Sequence, residues 1–199
     1  EDIQQDCNTY ATPLVSDWIL RNNWADQSNG TTLTNENGQL LVNQHQWANS
    51  YFYLIMNGIG TSINAGENYN VSFDIKESTN VQITDVSVGF ASGYQWDGPT
   101  GYVINTTSVG GNISSSSFTY KEVDLSATSG GTGYLTIHVT LSGQPSQATS
   151  HYLKNVEICS GSGAKSKNKM AGFSQTYDES DFTLYPNPTS RYLNITLPD

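Results

Sequence analysis

Positive charge is what this 199-residue chain has least of: eight Lys and Arg stand against eighteen Asp and Glu, a formal net charge of −10. With no cation excess to displace counterions, nucleic acid and anionic membranes are poor partners. Charged residues of both signs make up only 13% of the chain, which is unusual for a cytosolic enzyme. No apolar run approaches the roughly 18 residues of a membrane-spanning helix. Cysteine occurs only at Cys7 and Cys159, with no CxxC pair and no Cys/His cluster at zinc spacing. The histidines, His45, His138 and His151, form no HxH or HExxH pattern, so no metal centre is indicated. There is no Gly-x-Ser-x-Gly elbow and no phosphate-binding loop. Helical periodicity is nearly absent. Only "PLVSDWILRNNW" (13–24) admits a short helical turn, with strand or loop as alternatives.

In place of charge the chain carries Asn, Ser, Thr, Gly and Gln, with twelve Tyr, six Phe and four Trp. Neutral polar surface with many aromatics suits an extracellular β protein. The opening "EDIQQDCNTY" fits a mature chain after leader removal, or a module of a longer protein.

Short apolar alternations separated by Gly, Asn and Ser read as strands. They fall at 38–44, 46–56, 65–78, 81–91, 118–127, 133–143 and 151–159. In "AGENYNVSFDIKES", Val71, Phe73 and Ile75 alternate with Ser72, Asp74 and Lys76, so one face is core and the other is outward. The expected fold is all-β, a jelly-roll β-sandwich of two antiparallel sheets over residues 1–159. Residues 160–181 read as a linker, and 182–199 as a short β-like tail. Cys7 and Cys159 bracket the body. If the first and last strands pair, the two cysteines can form a disulfide that closes the domain. The alternative is two separate buried thiols.

A glycosidase needs two carboxylates flanking a cleft. Asp74 and Asp85, on strands that could be neighbours, are the only pair to consider, and surface or groove hydrogen bonding suits them better. No catalytic role is therefore expected. The aromatics carry the functional reading, because Trp and Tyr combine an apolar ring with a polar tip, the combination a sugar ring needs. Over 46–56 the even positions Ala48, Phe52, Leu54 and Met56 suit a core. That leaves Trp47, Asn49, Tyr51 and Tyr53 outward, with alternate residues about 6.5–7 Å apart. The opposite parity buries both tyrosines. The Gly-bounded loop "SGYQWDGPTGY" (92–102) adds Tyr94 and Trp96. Trp24 is a third aromatic candidate, whereas Trp18 suits the core. Asp85 and His138 fall on outward parity as polar partners.

Two stretches resemble known families. "LYPNPTSRYLNI", with Tyr185, Pro186, Asn187 and Pro188 ahead of Leu193, Asn194 and Ile195, resembles the start of the C-terminal sorting domain of the type IX secretion system. The resemblance implies that the chain is read by that machinery and is secreted from, or held at the surface of, a Gram-negative bacterium. The stretch is shorter than a full sorting domain. The body, about 14–158, resembles the β-sandwich carbohydrate-binding modules of families four, nine, sixteen and twenty-two. "INAGENYNVSFDIK" is similar to the group's "aGktYtvsfda" element, "FTYKEVDLSA" to its "w-y-tft" strand, and "HYLKNVEI" to its closing "fyiDdVel" strand. This implies a non-catalytic polysaccharide binder, an accessory module of a glycan-degrading protein, with xylan or β-glucan as the leading ligand classes. No cofactor is implied beyond a structural calcium. There the chain departs from the group: Lys154 and Asn155 replace the acidic ligand of the closing strand, leaving Asp6 and Asp17 as candidates. The rival reading is an adhesin or structural subunit that polymerises by passing its tail strand to a neighbour.

Overall fold

A computed structural model describes residues 6–10, 13–22 and 31–161. Trp24, nearly all of the expected linker, and the tail resembling a sorting domain lie outside the described residues. The described chain comprises a single 3-10 turn, Val15–Asp17, and twelve strands. These are β1 (Asp6–Tyr10), β2 (Trp18–Arg21), β3 (Thr32–Glu36), β4 (Gln39–Gln44), β5 (Tyr51–Met56), β6 (Thr61–Ile63), β7 (Asn68–Lys76), β8 (Ile83–Gln95), β9 (Gly98–Ser108), β10 (Thr119–Ser126), β11 (Gly131–Leu141) and β12 (Thr149–Ser160).

Period-2 alternation sorts them into two antiparallel sheets. The first has the order β10-β7-β12-β4-β3, with β1 also on β12. The second has the order β2-β5-β11-β8-β9, with β6 also on β11. Tyr69, Val71, Phe73 and Ile75 of β7 face Phe52, Leu54, Val86, Val88, Phe90, Leu135, Ile137 and Val139 of the second sheet in one buried core. Trp18 is buried with them, as its sequence context predicts. The all-β sandwich is therefore the observed fold.

Most expected strands are present with shifted ends, but the one placed at 46–56 is shortened. It begins at Tyr51, because residues 46–47 form a turn in which Trp47 takes φ 69°. A left-handed backbone at a bulky residue cannot continue a strand. β9 escaped the sequence reading because few of its residues are buried, so it carries little apolar alternation. Asp74 and Asp85 do not pair. Their strands, β7 and β8, belong to opposite sheets and both side chains turn away from the core. The whole sandwich, roughly 10 Å between sheets, separates them.

Cys7 stands directly opposite Cys159 in the β1–β12 pairing, and the two are joined as a disulfide spanning 152 residues of sequence. The alternative of separate thiols is thereby set aside. For a loop of that length the chain-entropy contribution is about 5 kcal/mol, at the upper end of what a disulfide supplies. Thermal unfolding with and without reductant should show a clearly lower midpoint when the bridge is open. Equal midpoints would mean that β1 is held without it.

His151 is turned into the core beside Phe52, with ring centroids 5.5 Å apart, and only 2% of it is exposed. Its Nδ1 accepts the Ser78 amide at 3.4 Å. Burial pushes its pKa down to about 4. In the unfolded chain the ring takes a proton below about 6.5. Stability should thus be level above pH 6.5 and fall between pH 6.5 and about 4, by an amount on the order of 3 kcal/mol. Denaturant titrations across that range should show the slope in the native chain and its loss in His151→Leu. A variant that keeps the slope would assign it to other groups.

Candidate functional site: the outer face of the second sheet

The register of the second sheet builds a row of side chains across its outer face. Arg21 lies opposite Tyr53, Tyr53 opposite His138, His138 opposite Ser87, and Ser87 opposite Ser108. A second row runs from Tyr51 through Thr140 to Asp85. The rings are in contact. The imidazole of His138 stacks on Tyr53 at 4.4 Å between centroids with a 19° interplanar angle. Tyr51 meets Tyr53 edge-on at 5.8 Å and His138 at 5.9 Å. Beside this aromatic floor Asp85 accepts hydrogen bonds from the hydroxyls of Ser87, at 2.8 Å, and Ser108.

The face is walled by the β8–β9 hairpin. β8 pairs with β11 only as far as Ala91, opposite Tyr134, and beyond that point it pairs with β9 alone. In sheet order β2 lies three strands from β8, roughly 14 Å. Yet Arg21 Nε of β2 donates to the carbonyl of Gln95 in β8 at 2.9 Å. The hairpin has therefore left the plane of the sheet and folded across its outer face. A cation–π contact of Arg21 with Tyr94, at 5.9 Å, and an edge contact of Tyr94 with Tyr134, at 5.7 Å, hold it there. Ile55 and Thr136, register partners on the same parity as the outward Tyr53 and His138, are nonetheless fully buried. They lie on the part of the face that the hairpin covers.

The tip closes on the floor. Trp96 and Asp97 form the two-residue turn, and Gly98 leaves it at φ 145°. A Cβ at Gly98 would lie 2.9 Å from Tyr53 Cε2 and 3.1 Å from Cδ2. Only glycine permits both that backbone and that approach. Burial foremost, then Tyr51 and Asp97, raises the pKa of the Tyr53 phenol. Burial and the neighbouring Tyr53 raise that of Tyr102. Both phenols stay protonated donors at neutral pH. Burial lowers the pKa of His138, against the opposing pull of Asp85, so the stacked ring is neutral near pH 7.

Of the residues singled out in the sequence, Tyr51, Tyr53, His138 and Asp85 share this face, and Tyr94 and Trp96 belong to the hairpin above it. Trp96 is 61% exposed at the tip. Trp47 is not in the strand row. It sits in the preceding turn, 67% exposed, with its amide bonded to Pro145 O at 2.8 Å. Asn49 also precedes β5, and its Nδ2 is buried with no partner among the described residues. Sequence reasoning missed Arg21, Ser87, Ser108 and the requirement for glycine at position 98. Arg21 had a signal of its own, as the single arginine of the body.

Asp6, one of the calcium candidates, has its side chain outside the described residues, and Asp17 belongs to no group of three neighbouring His, Cys, Asp or Glu ligands among them. Among the described residues one trio of candidate ligands is close enough, Cys7, Glu157 and Cys159, and its cysteines are joined in the disulfide. The Asn155 amide donates to Asp74 at 2.5 Å, and the Lys154 ammonium lies over the Phe118 ring.

No protein-family model matches the chain, and no curated protein matches it. Among solved structures, it is similar to the N-terminal cellulose-binding domain of a Cellulomonas fimi β-1,4-glucanase, at 19% identity and TM-score 0.50, over 75% of this chain and 92% of that one. A family 29 carbohydrate-binding module from Piromyces equi aligns at 18% identity and TM-score 0.46, over 80% of this chain and 93% of that one. An arabinose-bound α-L-arabinofuranosidase aligns at 12% identity and TM-score 0.53, where 79% of this chain covers 26% of the enzyme. At these identities the likeness is one of fold, a β-sandwich.

Proposed function

We propose that this chain is a non-catalytic carbohydrate-binding module that takes a neutral polysaccharide, of the xylan or β-glucan class, across the outer face of its second sheet. The observation that carries this reading is the aromatic floor of Tyr51, Tyr53 and His138 beneath the folded-over hairpin. Sugar C–H faces pack on such rings, while phenol, imidazole and carboxylate groups meet the hydroxyls. The polymer axis runs across the strands, between the hairpin and the 45–50 loop, and not along β5. Five strands give a floor roughly 19 Å wide. Trp96 at the tip closes over the chain, and the exposed Trp47 extends the floor beyond Tyr51. The separation of Asp74 from Asp85 supports binding without hydrolysis. Export through a type IX pathway, and service as an accessory module of a glycan-degrading protein, rest on the resemblances of the tail and the body.

Affinity gel electrophoresis of the chain against soluble xylan, β-glucan and mannan tests the assignment. Retardation by one polymer is expected, with loss of about tenfold or more in affinity for Tyr53→Ala and for Trp96→Ala. Retardation unchanged in both variants would place the ligand elsewhere. Gly98→Val should weaken binding as strongly, because its side chain displaces Tyr53.

A neutral ligand over His138 deepens its burial and so disfavours its protonated form. Affinity should be level at pH 6.5 and above and weaken only in more acid solution, where the ring, its pKa lowered by burial, takes a proton. Titration calorimetry of the native chain and His138→Gln separates this from other groups, since the variant should bind with no step in that range. An identical acid step in both would clear His138 of the effect.

A further inference from the structure

The β8–β9 hairpin that walls the second sheet's outer face also covers it. Its tip stands so near the Tyr53 ring that a Cβ at Gly98 would lie 2.9 Å from Cε2. Non-bonded carbons pack at about 3.5–4.0 Å, so no sugar fits between the tip and that ring. His138 is already stacked on the same ring, at 4.4 Å between centroids. Ile55 and Thr136, beneath the hairpin, are fully buried. A polymer that lies on Tyr53 must therefore displace the hairpin first.

The hairpin is tied down lightly. Up to Ala91, β8 is laddered to β11 on one side and to β9 on the other. Beyond it, Arg21 supplies a solvent-exposed hydrogen bond to the Gln95 carbonyl and a cation–π contact with Tyr94, and Tyr134 supplies a ring edge. The root of the hairpin is irregular. The β8–β9 register shifts between Phe90 and Ala91, between Ala91 and Gly93, and between Gly93 and Tyr94. Bulges of this kind leave residues out of the ladder and let a strand bend. At the same level Gly93 stands opposite Gly101. Close packing does not demand that pair. Apart from its chain neighbours, a Cβ at Gly93 would meet only the Thr100 hydroxyl within 4 Å, and one at Gly101 only that of Ser92. What glycine adds at both positions is backbone freedom. An interrupted ladder with facing glycines can absorb the backbone rotation of a hinge.

We propose that the hairpin is a lid on this face. It swings about the Gly93–Gly101 pair, Arg21 latches it shut through the Gln95 carbonyl, and it lifts to let a polymer onto Tyr53 before closing again. The ligand rests on the polysaccharide reading above; the hinge rests on the fold alone.

Thiol labelling tests the hinge without a ligand. The two native cysteines are bonded to each other, so an introduced cysteine is the free thiol. Thr136→Cys and Val139→Cys place it on one strand, β11, at two fully buried sites, the first under the hairpin and the second in the core. Under native conditions an alkylating reagent should modify Thr136→Cys at least about tenfold faster, because lifting the lid uncovers it, whereas global unfolding is needed to uncover the other. Urea titration of each variant corrects the rates for any loss of global stability. Adding Arg21→Met, which keeps the stem and removes the donors, should speed Thr136→Cys roughly tenfold further and leave Val139→Cys unchanged. Equal corrected rates at the two sites would overturn the lid, and so would a Thr136→Cys rate indifferent to Arg21→Met. A second arm uses soluble xylan or β-glucan, whichever retards the native chain. Arg21→Cys/Gln95→Cys joined by a bis-alkylating linker of about arginine length should lose association with that polymer, while the same variant unlinked retains it. Equal binding in both forms would make the hairpin a fixed wall and overturn the lid. If neither polymer retards the native chain, the polysaccharide reading fails, and the labelling rates decide the hinge by themselves.

Discussion

The approach of Gly98 to the Tyr53 ring is the constraint on which the second sheet's outer face depends. Without it the β8–β9 hairpin would extend past Ala91 as two strands in solvent, and the face would be an open pleated surface. With it, the hairpin lies down over β11 and β5, and Arg21 fastens it from the far edge through the Gln95 carbonyl. The consequences follow in order. Ile55 and Thr136 lose their solvent. The phenols of Tyr53 and Tyr102 are pushed up in pKa by burial, and His138 is held neutral against Tyr53. A flat surface thereby becomes a walled one with an aromatic floor.

How much of this was legible in the sequence depends on the range of the interaction concerned. Alternation is local, so β4, β7, β10, β11 and β12 could be read directly, as could the parity that turns Tyr51 and Tyr53 outward. The Cys7–Cys159 bridge was legible conditionally, on the pairing of the first and last strands. The hairpin's fold-over was not legible. Nothing in "SGYQWDGPTGY" records that position 98 must face a ring forty-five positions earlier in the chain. Its Gly reads as an ordinary turn residue. The Trp47 turn was hidden for a different reason: "QWANSYFYLIM" alternates well enough to pass for a single strand, and the left-handed backbone at Trp47 leaves no compositional mark. Asp74 and Asp85 looked like neighbours because sequence order does not say where the chain crosses from one sheet to the other.

The scarcity of cations makes each one informative. Two of the four in the described residues cap backbone carbonyls left by irregular chain, Gln95 at the hairpin and Val109 with Gly111 after β9. The part-buried carbonyls of Val109 and Gly111 need donors, and a long cationic side chain can supply several at once from another strand. Lys121 in this sense does what a bound cation does in other loops, tying the chain after β9 back to β10.

On the proposed reading, the second sheet's outer face, with its walls, stacked rings and few charges, selects a saccharide by shape and by the orientation of hydroxyls. Its response to salt should be slight, because nothing in it relies on long-range attraction.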